Sequence, residues 1–479
     1  MAVRSRRPDT RPAAPMIRTL LTVERPRPEA VRSHAGAWRF AVLTVCFGAF
    51  MGQLDASIVT LTYQALRDEF HTTLAAVQWV SLAYLLTLVA LLVPIGRFSD
   101  MHGRKLMYLY GFAVFTLASA ACGLAPTLAA LVGFRLVQAV GAALMQANSV
   151  ALVTTSAPPG RMRAALGIQA AGQAIGLALG PTVGGAIVAT LGWRWVFWIN
   201  VPVGVLSLIA GHYLLPRTRE RARVRRTDAA GVALLAGATT SALLALSVVS
   251  GLGTPAWTAA ALGAAAAVAS WAFLRRQARH RDPLIDLDLL RRGPVGSGLL
   301  GGLCGYLVLF GPLVLVPVEL ARRQLSSLTA GLVLTALPVG FALAATLAER
   351  ALPLGWDDRR RSRAGAAGCV AALVLLILLP VDAVLLPVPL LLLGLALGVF
   401  IPANNAVVMH ALPRSAAGTG GGMVNMTRGL GTALGVAAVT LALHLTPASA
   451  GFVAASAVLL VFAVLAFTTA SARPTAAES

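Results

Sequence analysis

The chain has 479 residues, of which 57% are hydrophobic and 12% are charged, and its formal net charge is +21. These values exclude an ordinary soluble globular protein, and the mean hydropathy of +0.78 is typical of many membrane-spanning helices. The arginines lie in short segments between apolar stretches, a pattern that orients membrane helices and does not indicate nucleic-acid binding. We therefore expect the lipid bilayer, and no nucleic acid, as a partner.

The first 37 residues are rich in Arg and Pro and lack an apolar core, which predicts a disordered tail and no signal peptide. After this tail, fourteen stretches have the roughly 20 mostly apolar residues that a spanning helix needs. They lie near residues 38–61, 74–94, 106–124, 128–153, 163–190, 196–215, 229–249, 256–274, 297–319, 329–348, 365–381, 385–409, 417–443 and 449–470. The predicted fold class is an all-α polytopic membrane protein.

Basic residues are concentrated in every second segment between these spans. Because positively charged loops stay in the cytoplasm, this alternation places both termini there and the chain in the cytoplasmic (inner) membrane. The spans divide into a first six-helix half at 38–215 and a second at 295–470. Between them lies a two-helix insert with basic loops, 216–294, and residues 471–479 form a second cytoplasmic tail.

The two halves show signs of an internal repeat. At a shift of about 255 residues, one proline and three glycines meet the same residue types: Pro158 with Pro413, Gly167 with Gly422, Gly176 with Gly431 and Gly180 with Gly435. Chance matching of common small residues is the alternative. Parallel repeats of six-helix halves are a recognised transporter architecture.

Five motifs follow one another along the first half. They are Leu54–Val59, Gly96–Lys105, Arg135–Gly141, a glycine ladder within 172–185 and Trp193–Pro202. In this order they resemble the major facilitator superfamily, and within it the fourteen-helix drug:proton antiporters of the EmrB/QacA type. The resemblance covers roughly residues 38–470. It implies a major facilitator fold of two six-helix halves with two inserted helices, and export of drugs in exchange for protons.

The glycine ladder is similar to the antiporter motif of that family. Its residues are Gly172, Gly176, Gly180, Pro181, Gly184 and Gly185. Small residues at this spacing make one smooth helix face, which another backbone can approach closely. We expect this face to lie against the other half, across the interface on which the halves rock. Plain helix packing is the alternative.

Two charged residues lie deep in predicted spans, where burial is costly and a function is the default expectation. Asp55 lies about 9 Å from the outer end of its helix, and Arg135 lies about 10 Å from the outer end of another. Opposite charges at matched depth predict a shared aqueous cavity. We expect Asp55 to take and release the coupled proton while Arg135 tunes its pKa. A permanent salt bridge between the two helices is the alternative.

The segment between the second and third spans is expected to lock a closed inner gate. Its candidate residues are Gly96, Asp100, Gly103, Arg104 and Lys105. The resemblance implies that the carboxylate and the two cations form the lock, and the two glycines permit tight turns. The alternative is that the cations only fix the topology. The second half carries only a degenerate counterpart at 357–361, and Glu349 fits a solvated helix end.

Six polar residues on plausible lining helices are candidates for a substrate cavity. They are Gln53, Gln138, Gln146, Asn404, Asn425 and Arg428. Hydrogen bonds between helices are the alternative for all of them.

Other kinds of site are not expected. The four cysteines lie far apart in apolar stretches, so neither a disulfide framework nor a metal site is indicated. No nucleotide-binding loop occurs, so we do not expect ATP to drive transport. We expect no cofactor and no enzyme activity. The sequence thus predicts a monomeric, proton-coupled antiporter that exports hydrophobic small molecules or drugs by alternating access. The alternatives are an importer, a dedicated exporter of one metabolite or antibiotic, and a transport-inactive membrane sensor.

Overall fold

Among the residues that the computed structural model describes, fourteen long helices, α1 to α14, follow one another and no strand occurs. The described residues are 24–34, 36–158, 160–218, 228–249, 255–280, 282–292, 294–325, 327–353, 355–447 and 449–471. The helices are α1 Ala37–Ile58, α2 Leu74–His102, α3 Arg104–Gly123, α4 Leu128–Ser156, α5 Met162–Thr190, α6 Asn200–Leu214, α7 Ala229–Val249, α8 Ala256–Gln277, α9 Pro294–Arg322, α10 Ser327–Ala351, α11 Asp358–Leu378, α12 Pro387–His410, α13 Ala417–Leu445 and α14 Gly451–Ser471.

This arrangement confirms the predicted all-α polytopic fold. Thirteen helical segments among the described residues are long and apolar enough to cross a membrane, and α5 is a further helix of 29 residues. Helix α1 continues through a 3-10 turn, Val59–Thr62, into the short helix Tyr63–Glu69. We call the side of the bundle where α1 begins and α14 ends the tail side, and the opposite side the far side.

Side-chain caps fix where several helices begin. At the start of α4, Thr127 accepts the backbone N–H of Ala130 at 3.2 Å, and at the start of α11, Asp357 accepts that of Arg360 at 2.7 Å. Helix α11 therefore begins at Asp358, ahead of the predicted span, because capped polar turns do not register in a count of apolar residues.

The helices pack as two halves. In the first half, α1 packs against α4, α5 and α6, and α4 also packs against α2 and α3. In the second half, α9 packs against α12, α13 and α14, and α12 also packs against α10 and α11. The halves meet where α13 lies against α2 and α4, and where α5 lies against α10 and α12. The inserted helices α7 and α8 form a hairpin, and α7 packs against both α2 and α13.

Part of the first tail is ordered, contrary to the predicted disorder. The carboxylate of Glu24 accepts the backbone N–H of Thr218 at 2.7 Å and that of Leu106 at 3.3 Å. The carbonyl of Arg25 accepts from Lys105 Nζ at 3.0 Å. These contacts hold this part of the tail against the tail-side ends of α3 and α6. Positions 1–23, 35 and 472–479 of the predicted tails lie outside the described residues.

The glycine ladder packs α5 against α1 of the same half, so the expectation that it faces the other half is wrong. A Cβ on Gly172 would lie 3.5 Å from Cys46 Cβ, and a Cβ on Gly176 would lie 2.6 Å from the Phe50 carbonyl oxygen. A Cβ on Gly180 would overlap Ser57 Oγ. A Cβ on Gly184 would lie 2.9 Å from Leu61 Cδ1, just beyond the end of α1. Gly185 has nothing within 4 Å. The side chain of Pro181 is outside the described set. Four glycines on successive turns of α5 thus allow it to pack closely against α1.

The second half repeats this contact, as an internal repeat predicts. Gly431 and Gly435 lie on α13 against α9, and a Cβ on Gly435 would lie 2.6 Å from the carbonyl oxygen of Leu307. The contacts between the halves also match, because Gly167 of α5 lies against α10 and Gly422 of α13 lies against α2. Helices α5 and α13 therefore occupy equivalent places.

We expect Gly180→Leu to destabilise the protein, because a side chain there overlaps α1 and overpacking typically costs about 1–3 kcal/mol. The matched control is Gly185→Leu, five residues along the same helix with open space around it. The measurement is the thermal unfolding temperature of both purified variants. Equal unfolding temperatures for the two variants would show that α1 and α5 accommodate the added side chain without loss of stability, which would contradict this prediction.

Candidate functional site

Asp55 of α1 and Arg135 of α4 form a buried ion pair inside the first half. Asp55 Oδ2 lies 2.7 Å from Arg135 Nη1, and the two side chains are 0% and 1% exposed. Arg135 Nε also donates to the carbonyl of Val80 at 3.1 Å, and its Cζ lies 4.0 Å from the ring centroid of Tyr84. Burying a charge is less costly when its hydrogen-bonding groups have partners, and here Nε and Nη1 of the guanidinium both donate to acceptors.

The Asp55 carboxylate is the meeting point of a wider network. Its Oδ1 accepts from Gln138 Nε2 at 3.1 Å and from Asn200 Nδ2 at 2.9 Å. Gln138 in turn accepts from Arg135 Nη1 at 2.6 Å and donates to Ser119 Oγ at 2.7 Å. Helices α1, α3, α4 and α6 therefore converge on one acidic group. Asn200 and Ser119 had not been assigned to a site from the sequence.

A cavity of about 240 Å³ lies beside this pair, at mid-depth between the halves. Its wall consists of Gly52, Gln53, Ala56, Ser57, Ser81, Tyr84, Leu85, Leu88, Val89, Leu92, Arg135 and Gln146 from the first half, and Phe310, Asn425, Arg428, Gly429 and Thr432 from the second. Arg135 belongs to this wall and Asp55 does not, so the carboxylate lies behind the guanidinium as seen from the cavity. The expectation that both charges line one cavity is therefore wrong, because Asp55 is enclosed by its hydrogen-bond partners.

Two residues of α13 connect the cavity wall to α4. Arg428 Nη2 donates to Gln146 Oε1, and Asn425 Nδ2 donates to the Gln146 carbonyl at 2.7 Å. Among the described residues no carboxylate forms an ion pair with Arg428, and the buried Tyr84 hydroxyl has no hydrogen-bond partner. As far as the described residues extend, the cavity therefore combines an apolar wall with a cation that has no counter-ion and a hydroxyl that has no hydrogen-bond partner.

The structure places four of the six predicted cavity residues in the wall: Gln53, Gln146, Asn425 and Arg428. Gln138 lies in the Asp55 network, and Asn404 donates to the Gly298 carbonyl at 2.7 Å, which ties α12 to α9. For these two residues the interhelical alternative describes the observed role.

A carboxylate on the tail side joins the two halves. Asp100, near the end of α2, accepts the backbone N–H groups of Gly418 and Thr419 and the Thr419 hydroxyl, each at 2.8 Å, and pairs with Arg104 at 2.8 Å. It thus caps the N-terminus of α13, where unpaired N–H groups and the helix dipole favour a negative charge. Gly96 does not form the expected turn: it lies inside α2, and a Cβ there would come 2.9 Å from the Gly418 carbonyl carbon. We call the contact of Asp100 and its partner Arg104 with Gly418 and Thr419 the first clamp.

Two other residues of the predicted gate act within their own half. Lys105 Nζ donates to the carbonyls of His212 at 2.7 Å and Leu215 at 2.9 Å, so it caps the C-terminus of α6. Contrary to expectation, Lys105 is therefore not part of the first clamp. Gly103 separates α2 from α3 with φ of 113°, a conformation that side chains disfavour, as the turn requires. Arg104 belongs to the first clamp and also donates to the Arg414 carbonyl of the second half.

A second clamp joins the halves through Arg163, Glu349 and Asp358, of which only Asp358 belongs to the segment 357–361 that the sequence indicated as a degenerate counterpart of the gate. Arg163, at the start of α5, forms ion pairs with Glu349 at the end of α10 and with Asp358 at the start of α11. His410 Nδ1 lies 3.0 Å from Asp358 Oδ2. Arg163, Glu349 and Asp358 are partly buried, so Glu349 is not the solvated end that was expected, whereas His410 is exposed. Both clamps lie on the tail side, so that side of the cavity is closed.

Two packed six-helix halves around a mid-depth cavity define a polytopic membrane transporter. The family model described as Major Facilitator Superfamily matches residues 45–436, and the chain belongs to that family. It is 30% identical to the riboflavin transporter RibZ of Clostridioides difficile (strain 630), over 83% of this chain and 86% of that protein. It is 36% identical to the tetracenomycin C resistance and export protein of Streptomyces glaucescens, over 54% of this chain and 48% of that protein.

The fold is also found among solved structures. The crystal structure of the human organic anion transporter MFSD10 (TETRAN) superposes with a TM-score of 0.65 at 20% identity, over 90% of this chain and 99% of that one. At this identity the likeness concerns the fold. Together the matches confirm the family that the motifs indicated.

Proposed function

We propose that the protein is a proton-coupled antiporter that exports hydrophobic small molecules across the cytoplasmic membrane by alternating access. The observation that carries the proposal is Asp55, a fully buried carboxylate directly behind a cavity-wall cation. Ionisable groups at this depth are costly, and proton relays are among the functions for which they are retained.

The alternation of basic segments supports a cytoplasmic tail side. Both clamps then close the cytoplasmic side, and the cavity belongs to a state that takes protons from outside. Export requires the clamps to open and the halves to rock, after which the cavity is reached from the cytoplasm. The cavity and the charged pair both lie within one chain, which supports a monomer as the working unit.

Protonation of Asp55 removes the counter-ion of Arg135. The guanidinium is then a buried, uncompensated charge, which is strongly unfavourable, so the network around it must rearrange. Helices α1 and α4 carry this network and also contribute residues to the cavity wall, among them Gln53, Arg135 and Gln146. A proton on Asp55 is therefore coupled to the shape of the substrate cavity through the same two helices.

The cavity wall supports a substrate that is mostly apolar and carries an acceptor oxygen. Leu85, Leu88 and Phe310 offer apolar surface, and small-molecule sites typically combine such surface with a few fixed polar groups. Arg428 and the Tyr84 hydroxyl provide donors. Relatives with this fold include a resistance and export protein for one antibiotic, which favours drug export or the dedicated export of one metabolite.

The test is a toxicity panel in a host that lacks its own efflux pumps. We expect the wild-type chain to raise the tolerated concentration of at least one hydrophobic compound several-fold, and Asp55→Asn to return it to the vector level. Protection against many unrelated compounds indicates a multidrug exporter, and protection against one indicates a dedicated exporter. Equal protection by wild type and Asp55→Asn would contradict proton-coupled export.

A further inference from the structure

Helix α8 exposes one continuous face with a graded composition. Val268, Trp271 and Arg275 are spaced by three or four residues, so they lie on one side of α8, and Arg279 follows in the turn just after the helix ends at Gln277. Val268 is 65% exposed and Trp271 is 59% exposed, and both arginines are also exposed. Because α8 packs mainly on α7, this face is turned outward from the bundle. It changes from apolar to aromatic to cationic as it approaches the tail side.

The cationic end of this face borders a concavity of about 350 Å³. Its wall consists of Trp271, Ala272, Arg275, Arg276, Arg279 and His280. The guanidinium of Arg275 lies with its Cζ 5.2 Å from the Trp271 ring centroid, which holds it beside the indole.

The next layer of residues keeps this concavity in shape. Asp228, just before α7, lies 2.7 Å from Arg276 Nη2 and accepts from Gln277 Nε2 at 3.0 Å. Burial opposes its charged form, yet hydrogen bonds from Gly231, Arg276 and Gln277 hold the pKa of Asp228 below its ordinary value. Gln277 also accepts the backbone N–H of Leu284 at 2.6 Å, which fixes the chain beyond α8.

The positive charge of the concavity is only partly neutralised. Asp228 is ionised and compensates Arg276. Within the described part of the chain, no carboxylate pairs with Arg275 or Arg279. Two guanidinium groups in the wall of one concavity, on the last turn of α8 and in the turn that follows it, therefore remain for an anion from outside the protein. Guanidinium groups bind phosphate oxygens in a bidentate manner, which makes phosphate the matching anion.

We propose that the tail-side end of α8 binds the phosphate headgroup of an anionic phospholipid. A free phosphate would need only the cations, whereas this face continues through Trp271 to Val268, where acyl chains would lie. Tryptophan at the level of the headgroups and clustered arginine beside a spanning helix are the features that favour anionic lipid. The proposal does not depend on proton coupling or on the transported substrate.

The test uses the full-length protein in neutral detergent and compares binding of dioleoylphosphatidylglycerol, dioleoylphosphatidylcholine and inorganic phosphate by native mass spectrometry. We expect tight binding of phosphatidylglycerol only. The double variant Arg275→Gln/Arg279→Gln should weaken it at least tenfold. The control is Arg360→Gln/Arg363→Gln, two exposed arginines at the start of α11 on the same side of the bundle.

Because all four substituted side chains are exposed, we expect both double variants to fold, which their unfolding temperatures without lipid will verify. Equal loss in both double variants would overturn the proposal, since it would indicate attraction by net charge alone. Unchanged binding in Arg275→Gln/Arg279→Gln would also overturn it. Binding of inorganic phosphate as tight as that of phosphatidylglycerol would assign the site to a free anion instead.

Discussion

Asp55→Asn should abolish uphill transport driven by a pH gradient while leaving the exchange of substrate for substrate intact. Exchange requires only that the loaded cavity change sides, whereas uphill transport requires a group that binds and releases the proton. The introduced asparagine keeps the size of the side chain but has no proton to exchange at physiological pH. The measurement is the accumulation and the exchange, in proteoliposomes, of a compound identified by the toxicity panel.

The control for this variant is Asp68→Asn, on the same continuous helical segment. Asp68 is exposed and bonds only locally to Gln64 and Arg67 among the described residues, so we expect wild-type transport. Because Asp55→Asn leaves Arg135 buried without a counter-ion, it should lose about 3–5 kcal/mol of stability. The double variant Asp55→Asn/Arg135→Gln removes both charges and separates that loss from the loss of coupling. Uphill transport by a folded Asp55→Asn variant would contradict proton coupling through Asp55 and would assign the Asp55–Arg135 pair a purely structural role.

Asp100→Ala should open the tail side of the protein. Asp100 accepts three hydrogen bonds from Gly418 and Thr419 of the other half. Hydrogen bonds to a charged group contribute about 1.5–3 kcal/mol, so even a net loss of about 2 kcal/mol shifts a two-state equilibrium on the order of 30-fold. The measurement is the distance between spin labels at Arg161→Cys and Arg360→Cys, exposed positions on the tail side of each half. We expect a longer distance to become the main population.

Lys105→Gln is the matched control for the first clamp. Lys105 lies five residues after Asp100, and its described contacts are with α6 and the N-terminal tail, within the first half. Removing this cation should therefore leave the distance between the spin labels unchanged. A distance that is unchanged in Asp100→Ala would show that the second clamp, through Arg163, holds the tail side closed without the first.

Much of the fold was predictable because it depends on residue types taken one stretch at a time. The length of the apolar segments gives the spans, and the repeat at a shift of about 255 residues indicates two six-helix halves with an insert between them. Asp55 and Arg135 were also predictable, because the cost of burying a charge in a membrane belongs to the residue itself and needs no partner to be known.

The pairing of surfaces was not predictable, because it is a property of two distant segments. The spacing of Gly172 to Gly184 shows that a helix has a smooth face, but not that α1 occupies it. Arg163 and Glu349 stand at ordinary span ends, and only the fold brings them together. Asn200 lay inside a recognised motif, and an amide within an otherwise apolar run was the signal that could have assigned it to the Asp55 network.

The most direct test is whether substrate binding releases protons from the purified protein. In weakly buffered detergent solution, we expect the wild-type chain to release up to about one proton per bound substrate molecule, because the two ligands compete through the Asp55 network. We expect no release from Asp55→Asn at equal substrate occupancy. Binding without proton release by the wild type at any pH, or equal release by Asp55→Asn, would contradict proton coupling through Asp55.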